Sequence, residues 1–346
     1  MIKIQGDIMI KNYFFTFLTS VVITGSINLH AQEKNIGDIL IYNSRVTLLM
    51  PNDKFKGVPV LWQGSPTKEA MMALTFLKQD LITPEVLVAH ENFEKVQLYY
   101  FNQFGRRGYD NKASMVQVGV NMNKDLPFDL GMKENAAWLD TLSMFGFGDG
   151  TKNGELQNFI SSLEIVAHEF THAVVSYTSN LEYVGQSGAL NEHLADVFGA
   201  VVRQHYLPEA PNLFLIGDNA LTLKGKEKAK ALRDMQDPHS GLVWQPKDMS
   251  EVPPEFSSEC VPNLFNDNCG VHILSGIPNK VFATVVSKLG WEKSSRLYYK
   301  VMTDKLKPTS QFADFKKEMS EECLNGNNLT ASECSIIDDA FKEVGL

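Results

Sequence analysis

His168-Glu169-Phe170-Thr171-His172, inside Glu164-Ile-Val-Ala-His-Glu-Phe-Thr-His-Ala-Val-Val175, reads H-E-x-x-H. Successive α-helical residues turn by about 100°, so histidines four apart stand one above the other on one face. Two imidazoles at that spacing can share one Zn²⁺. Glu169 lies one residue along, beside such a metal rather than on it. That is where a base must sit to take a proton from metal-activated water. Phe159, Leu163, Val166, Phe170, Ala173, Val174 and Tyr177 recur at three- and four-residue steps. This predicts a helix over 157–178 with a core face beside the histidine stripe. Alone, the motif is only moderately specific, because the same pattern can fall on any surface helix.

Two histidines leave zinc short of a third protein ligand. Gly188-Ala-Leu-Asn-Glu-His-Leu-Ala-Asp-Val-Phe198 offers one. A loop rich in Ser, Asn and Gly from Thr178 to Gly188 is expected to reverse the chain, and a second helix to run from Ala189 to Tyr206. Glu192 then lies alongside the first helix. Asp196, one turn on, is placed to accept the other N–H of a ligand histidine. Three protein ligands and a water make a catalytic rather than a structural zinc. His193 is expected to point off the metal face and lie at the surface, while His90, His205 and His239 have no motif around them.

The chain has 346 residues, 44% of them hydrophobic, which suffices for a sizeable core and suggests about two domains. Net charge is −9 and no basic run stands out, so nucleic acid is not an expected partner. Lys11 precedes the apolar run Tyr13-Phe-Phe-Thr-Phe-Leu-Thr-Ser-Val-Val-Ile23 and the small residue Ala31 follows. Residues 1–31 therefore read as an export signal, giving a secreted or periplasmic protein; a buried strand is the rival reading. The run is short for a membrane span, and no later uninterrupted apolar run reaches that length. The four cysteines lie in the last third, and an even count in an exported chain suggests disulfides between near neighbours, Cys260–Cys269 and Cys323–Cys334. Other pairings remain open at this point, but a Cys₄ zinc site lacks any C-x₂-C spacing.

Strands are expected within Ile36–Leu49, over Ser114–Asn121 and at Met144–Gly150, with helices over 68–80 and 85–104. After His272 the chain reads helical to its end, broken near Pro308 and Asn325–Asn328. No phosphate-binding or dinucleotide glycine pattern is present. Strands in the first half and helices in the second suggest an α+β lobe over 32–178 and a mainly helical lobe over 179–346, joined by the zinc-motif helix.

Three runs in order, H-E-F-T-H-A-V, then S-G-A-L-N-E-x-x-x-D, then D-N-x-G-V-H-I-x-S-G-I-P-N-K, closely resemble the thermolysin family of neutral zinc endopeptidases. The likeness extends from about residue 86 to the C-terminus. It implies a two-lobed fold with the active site between the lobes, one catalytic Zn²⁺, a peptide or protein substrate and a monomeric enzyme. At matching positions it implies that His168, His172 and Glu192 bind zinc, with Asp196 orienting His168 and Asn191 supporting His172. Glu169 would activate the water and pass its proton to the leaving amine. Tyr183 and His272, the latter partnered by Asp267, would stabilise the transition state. Arg233 would bind a substrate carbonyl, Asn135 would hydrogen-bond the substrate backbone, and Ala136 would offer its carbonyl. Leu156, Phe159, Ile165, Ile216 and Leu232 fall at or near the lining of the pocket just after the cut, so cleavage before bulky hydrophobic residues is expected. A zinc aminopeptidase is the rival enzyme, though no G-x-M-E-N-like run for a free amine is present; a silent peptide-binding relative is the non-enzymatic rival.

Three departures stand out. Family members usually carry a long propeptide, whereas about thirty residues precede the enzyme-length chain here, so unaided folding or a helper in trans is expected. Glu164 and Asp218 match calcium-site positions, but Arg203 stands where a key glutamate belongs, and a cation there opposes Ca²⁺. Ala137 replaces a bulky aromatic, which implies a wider pocket before the cut.

Overall fold

The computed structural model describes residues 36–43, 58–62, 83–122, 132–151, 153–326 and 329–346. The expected leader, the helix over 68–80, and the strand and turn expected over 46–53 lie outside the described residues. Five strands form a mixed sheet: β1 (Ile39–Asn43), β2 (Val58–Trp62), β3 (Val116–Met122), β4 (Ala136–Leu139) and β5 (Met144–Gly148), in the order β2-β1-β3-β5-β4. β1 and β5 run parallel to β3, while β2 and β4 run antiparallel to their neighbours. The valines of β3 and Phe145 and Phe147 of β5 are buried. Helix α1 (Pro84–Phe104) packs on this sheet through Phe93, whose ring centroid lies 4.9 Å from Phe145 and 5.9 Å from Phe147. It opens on Pro84, whose missing N–H costs nothing in a first turn, and closes on Gly105 at φ +68°.

The motif helix α2 covers Leu163–Ser176, shorter than the expected 157–178. Asn158 takes φ +50° and a 3₁₀ turn, Phe159–Ser161, precedes an extended Ser162. Phe159 and Ile160 are still buried, so the apolar spacing was real while the backbone breaks between them and α2. Helix α3 (Gly185–Tyr206) starts four residues earlier than Ala189. The Ser187 hydroxyl donates to the carbonyls of Glu182 and Val184, each at 2.8 Å, which ties a first turn that glycine and serine content disfavours. At Gly199 an added Cβ would lie 2.7 Å from the Glu164 carbonyl oxygen. Only glycine lets α3 approach the α2 backbone this closely, and that approach carries Glu192 to the histidine stripe.

A loop-rich stretch follows α3 and holds a two-stranded antiparallel ladder, Leu215–Ile216 with Arg233–Asp234. From Asp267 the chain is helical: α4 (Asp267–Leu274, whose first four residues take left-handed backbone), α5 (Gly276–Leu289), α6 (Trp291–Asp304), α7 (Phe312–Asn325) and α8 (Ala331–Glu343). The breaks fall at Gly290, around Pro308 and after Asn325, the last two as expected. Phe282, Tyr298, Phe315 and Phe341 stack edge to face through this core. The chain is therefore α+β, with a mixed sheet followed by helices. Both expected disulfides are present, Cys260–Cys269 with Cα atoms 5.9 Å apart and Cys323–Cys334 with 5.7 Å. Among the described residues, one helical stretch, Leu264–Leu289, is long and apolar enough to cross a bilayer, but 78% of its most apolar window is buried inside the fold.

Candidate metal centre and catalytic cleft

α2 presents His168 and His172 toward Glu192 on α3. The two Nε2 atoms are 3.0 Å apart, His168 Nε2 lies 3.5 Å from Glu192 Oε2, and His172 Nε2 lies 3.3 Å from Glu192 Oε1. Donors 2.0–2.1 Å from a tetrahedral zinc are about 3.3 Å from one another. The triangle thus has the dimensions of a zinc face, and among the described residues it is the one His/Cys/Asp/Glu group whose donor atoms converge this way. Two bare imidazole nitrogens at 3.0 Å beside a buried carboxylate need a proton or a cation between them.

The surroundings aim the donors. His172 Nδ1 is 2.8 Å from Asn191 Oδ1, so its N–H donates there and Nε2 is left free for metal. His168 Nδ1 lies 2.8 Å from Asp196 Oδ1. Asp196 is fully buried and takes a fork from Arg233, Nε at 2.8 Å and Nη2 at 2.6 Å, plus the Asn279 side-chain amide at 2.8 Å. Burial alone would raise the Asp196 pKa; Arg233 and His168 outweigh it and hold the carboxyl below its ordinary range. Glu192 follows the same balance: burial opposes its charge, and His272, His172 and His168 keep it well below the usual carboxylate range. Burial would lower the His168 pKa, but Asp196 and Glu192 raise it to about 10. A site that binds a proton this firmly has the negative field that also favours a dication.

Opposite this triangle, Tyr183 Oη contacts Glu192 Oε1 and lies 3.1 Å from His272 Nε2. His272 Nδ1 is 2.6 Å from Asp267 Oδ1, and the His272 backbone N–H donates to Asp267 Oδ2 at 2.8 Å. Burial and then the Glu192 charge push the Tyr183 phenol well above its ordinary value, so it keeps its proton. His272 is also raised, because Glu192 and Asp267 outweigh its burial. One oxygen of Glu169 accepts the backbone N–H of Trp138 on β4 at 2.9 Å. All these groups, with Asn135, Ala136, Leu156, Phe159, Ile165, Ile216, Leu232 and Arg233, line one cleft of about 1020 Å³.

Three features escape the sequence reading. Trp138 acts through its backbone, which no side-chain pattern signals. Val243 joins the apolar lining from a loop. Asn279 lies inside the third motif run, so its position was visible but its partner Asp196 was not. His193 is a correction: it is fully buried, its Nδ1 is 2.8 Å from Asn279 Oδ1, and burial lowers its pKa to about 4. It points off the metal face as expected, but that face of α3 packs on Tyr298 and Phe315 rather than on water.

The family description "Thermolysin metallopeptidase, catalytic domain" matches residues 68–176, and "Thermolysin metallopeptidase, alpha-helical domain" matches residues 179–346. The chain belongs to the thermolysin metallopeptidase family. It is a zinc metalloendopeptidase, a peptide-bond hydrolase. Protease PrtS of Photorhabdus sp. (strain Az29) is 34% identical over 272 residues, covering 75% of this chain and 67% of that protein. The extracellular elastase of Staphylococcus epidermidis is 35% identical over 227 residues, covering 66% of this chain and 40% of the elastase. Among solved structures, the precursor of protealysin, a metalloproteinase from Serratia proteamaculans, shares the fold with a TM-score of 0.70 at 24% identity, over 89% of this chain and 87% of that one. The His168–His172–Glu192 group fits the family's catalytic zinc in donor type, spacing and charge.

The family's calcium fares differently. Arg203 is buried and its guanidinium forks onto Asp218, Nη1 at 2.6 Å and Nη2 at 2.9 Å, while Nη1 also donates to the Leu215 carbonyl at 2.9 Å. Glu164 Oε1 stands 3.9 Å from Nη1. A guanidinium fills the space between the two carboxylates, so these residues do not fit a divalent ion.

Proposed function

We propose that the chain is an exported endopeptidase that cuts before bulky hydrophobic residues, with zinc as its metal and no calcium at the Glu164–Asp218 position. The observation that carries this reading is the convergence of Glu169, Tyr183 and His272 on the His168–His172–Glu192 triangle beside an apolar wall. Zn²⁺ held there supplies a Lewis acid that polarises the scissile carbonyl and lowers the pKa of water. Glu169 takes the proton of the attacking water and returns it to the leaving amine; the Trp138 N–H fixes the carboxylate's rotation for both tasks. Tyr183 Oη and His272 Nε2 donate to the developing oxyanion, a contribution of about 2.7–4 kcal/mol per donor. Asp267 holds the His272 ring, while Asp196 and Asn191 hold the ligand rings.

The substrate lies along β4, the last strand in the sheet order, where Asn135 and the Ala136 carbonyl meet its backbone. Arg233 commits Nε and Nη2 to Asp196 and turns a remaining donor to a substrate carbonyl. Leu156, Phe159, Ile165, Ile216 and Leu232, with Val243, take the side chain that follows the cut. The leader pattern over 1–31 supports export.

Glu169→Gln tests the chemistry. Turnover of an internally quenched peptide blocked at both ends should fall by about 10²-fold or more while one zinc per chain remains bound. Undiminished turnover would remove Glu169 from the mechanism. Blocked ends also separate this activity from an aminopeptidase. In a peptide-library digest, Leu, Ile and Phe should be enriched just after the cut; a flat profile there would reject the specificity.

A further inference from the structure

Resting on the reading of the cleft as a polypeptide-binding site, we infer that the disulfide-closed loop Cys260–Cys269 is a second contact for substrate, gripping an apolar residue that flanks the one in the main pocket. Most large apolar side chains of the described chain are buried or half-buried. This loop breaks the pattern: Val261 is 77% exposed, Leu264 88% and Phe265 fully exposed. Three large apolar groups within five residues form a patch of the kind that marks an interaction surface.

The loop is held in shape. Cys260–Cys269 closes it. Asn263 Oδ1 accepts the N–H groups of Phe265 and Asn266, Asn266 Oδ1 accepts those of Asn263 and Cys269, and Asn266 Nδ2 donates to the Val261 carbonyl. Leu264 and Phe265 are thus presented to solvent by a braced turn, and a partner that covers them orders little new backbone.

The occupant follows from continuity with the catalytic cleft. Leu264 lines the same cavity as Asp267, Asn268 and His272. Asp267, Asn268, Cys269 and Gly270 all take left-handed backbone, φ +55°, +48°, +68° and +76°. That run carries the chain from the apolar tip straight to His272 through the Asp267 carboxylate. A polypeptide seated beside His272 therefore passes Leu264, and a flanking side chain that reaches past the cleft rim meets the adjoining exposed Phe265. The loop favours extended, apolar-rich chains, such as unfolded protein, over short peptides that fill the main pocket alone.

The test compares kcat/KM for two blocked peptides with the same Leu after the cut. One ends close to the cut on both sides; the other is about ten residues long with Phe and Leu in the flanking positions. In Leu264→Ser/Phe265→Ser the long-to-short ratio should fall about ten-fold, mainly through KM, as expected for part of one large side chain returned to water. Leu264→Met/Phe265→Leu should restore most of the ratio. An unchanged ratio overturns the inference. So does a wild-type dimer, by light scattering, that becomes monomeric in the serine variant, since the patch then faces a second copy. A wild-type enzyme that cleaves neither peptide overturns the cleft reading itself, and this inference with it.

Discussion

Two clusters of nearly the same composition sit along helices α2 and α3. Near the cleft, Glu192 and Asp196 share the space with one guanidinium, Arg233. At the other end of the helix pair, Glu164 and Asp218 share theirs with Arg203. In both, the guanidinium forks onto the aspartate and leaves the glutamate over. The fate of the leftover carboxylate differs. Glu192 faces His168, His172 and His272 and is held ionised. Among the described residues, Glu164 faces no second base; burial raises its pKa, and the 3.9 Å approach of Arg203 offsets this only in part. A leftover buried carboxylate stays ionised where imidazoles face it, and tends toward its neutral form where burial outweighs a more distant guanidinium.

The largest effect expected from this comparison comes from Asp196→Ala. It strands the Arg233 guanidinium in the interior, a loss of about 3–5 kcal/mol by denaturant unfolding. It also frees the His168 ring, which should weaken zinc about 10–100-fold in a chelator competition. Wild-type stability in that variant would mean that Arg233 finds other partners, and that the two clusters are less alike than their geometry.

Metal addition separates the clusters next. Zinc at about 100 times its Kd should stabilise the metal-free protein by about 2.7 kcal/mol. That corresponds to roughly 4 °C in Tm for a chain of this length. Millimolar calcium should leave the Tm of the zinc-loaded protein within about 1 °C, because Arg203 already occupies the acidic space. A calcium shift as large as that of zinc would break the comparison. Arg203→Met comes third. It should cost about 2 kcal/mol, below the full value for a buried pair because Asp218 is partly exposed. Zinc affinity should not move; if it does, the clusters communicate along α2 and α3.

Much of this was legible because the chemistry is written in local spacing. His168, Glu169 and His172 lie within one turn and a half, and Glu192 and Asp196 repeat the i, i+4 step on the next helix. The two disulfides were legible because each closes a short loop. The helix ends were not. Asn158 and Gly185 in left-handed backbone set where α2 is preceded by a turn and where α3 begins, and those choices depend on tertiary packing. His193 was misplaced because two faces of α3 are buried, one by the metal site and one by Tyr298 and Phe315, and a 3.6-residue period cannot say how many sides a helix packs on. The partners of Asp196 come from Arg233 and Asn279, 37 and 83 residues away, beyond any local pattern.

The smallest effect is the most specific test of the leftover glutamate. The folded pKa of Glu164 is raised above its ordinary value of 4.5 because burial disfavours its charge. Its protonated form is therefore the one the fold prefers. The stability this confers is fully present below about pH 4.5 and is lost as pH rises through the folded pKa. Glu164→Gln keeps the shape and the Gly217 N–H···O contact but cannot ionise. In urea unfolding from pH 4 to pH 8, the variant should match the wild type at the acid end and gain on it as pH rises, with zinc contributions cancelling in the difference. The opposite trend, a wild type that gains on the variant with pH, would show that Arg203 holds Glu164 ionised. The cluster would then carry a net negative charge, like the one near the cleft, and the contrast between the two leftover glutamates would fail.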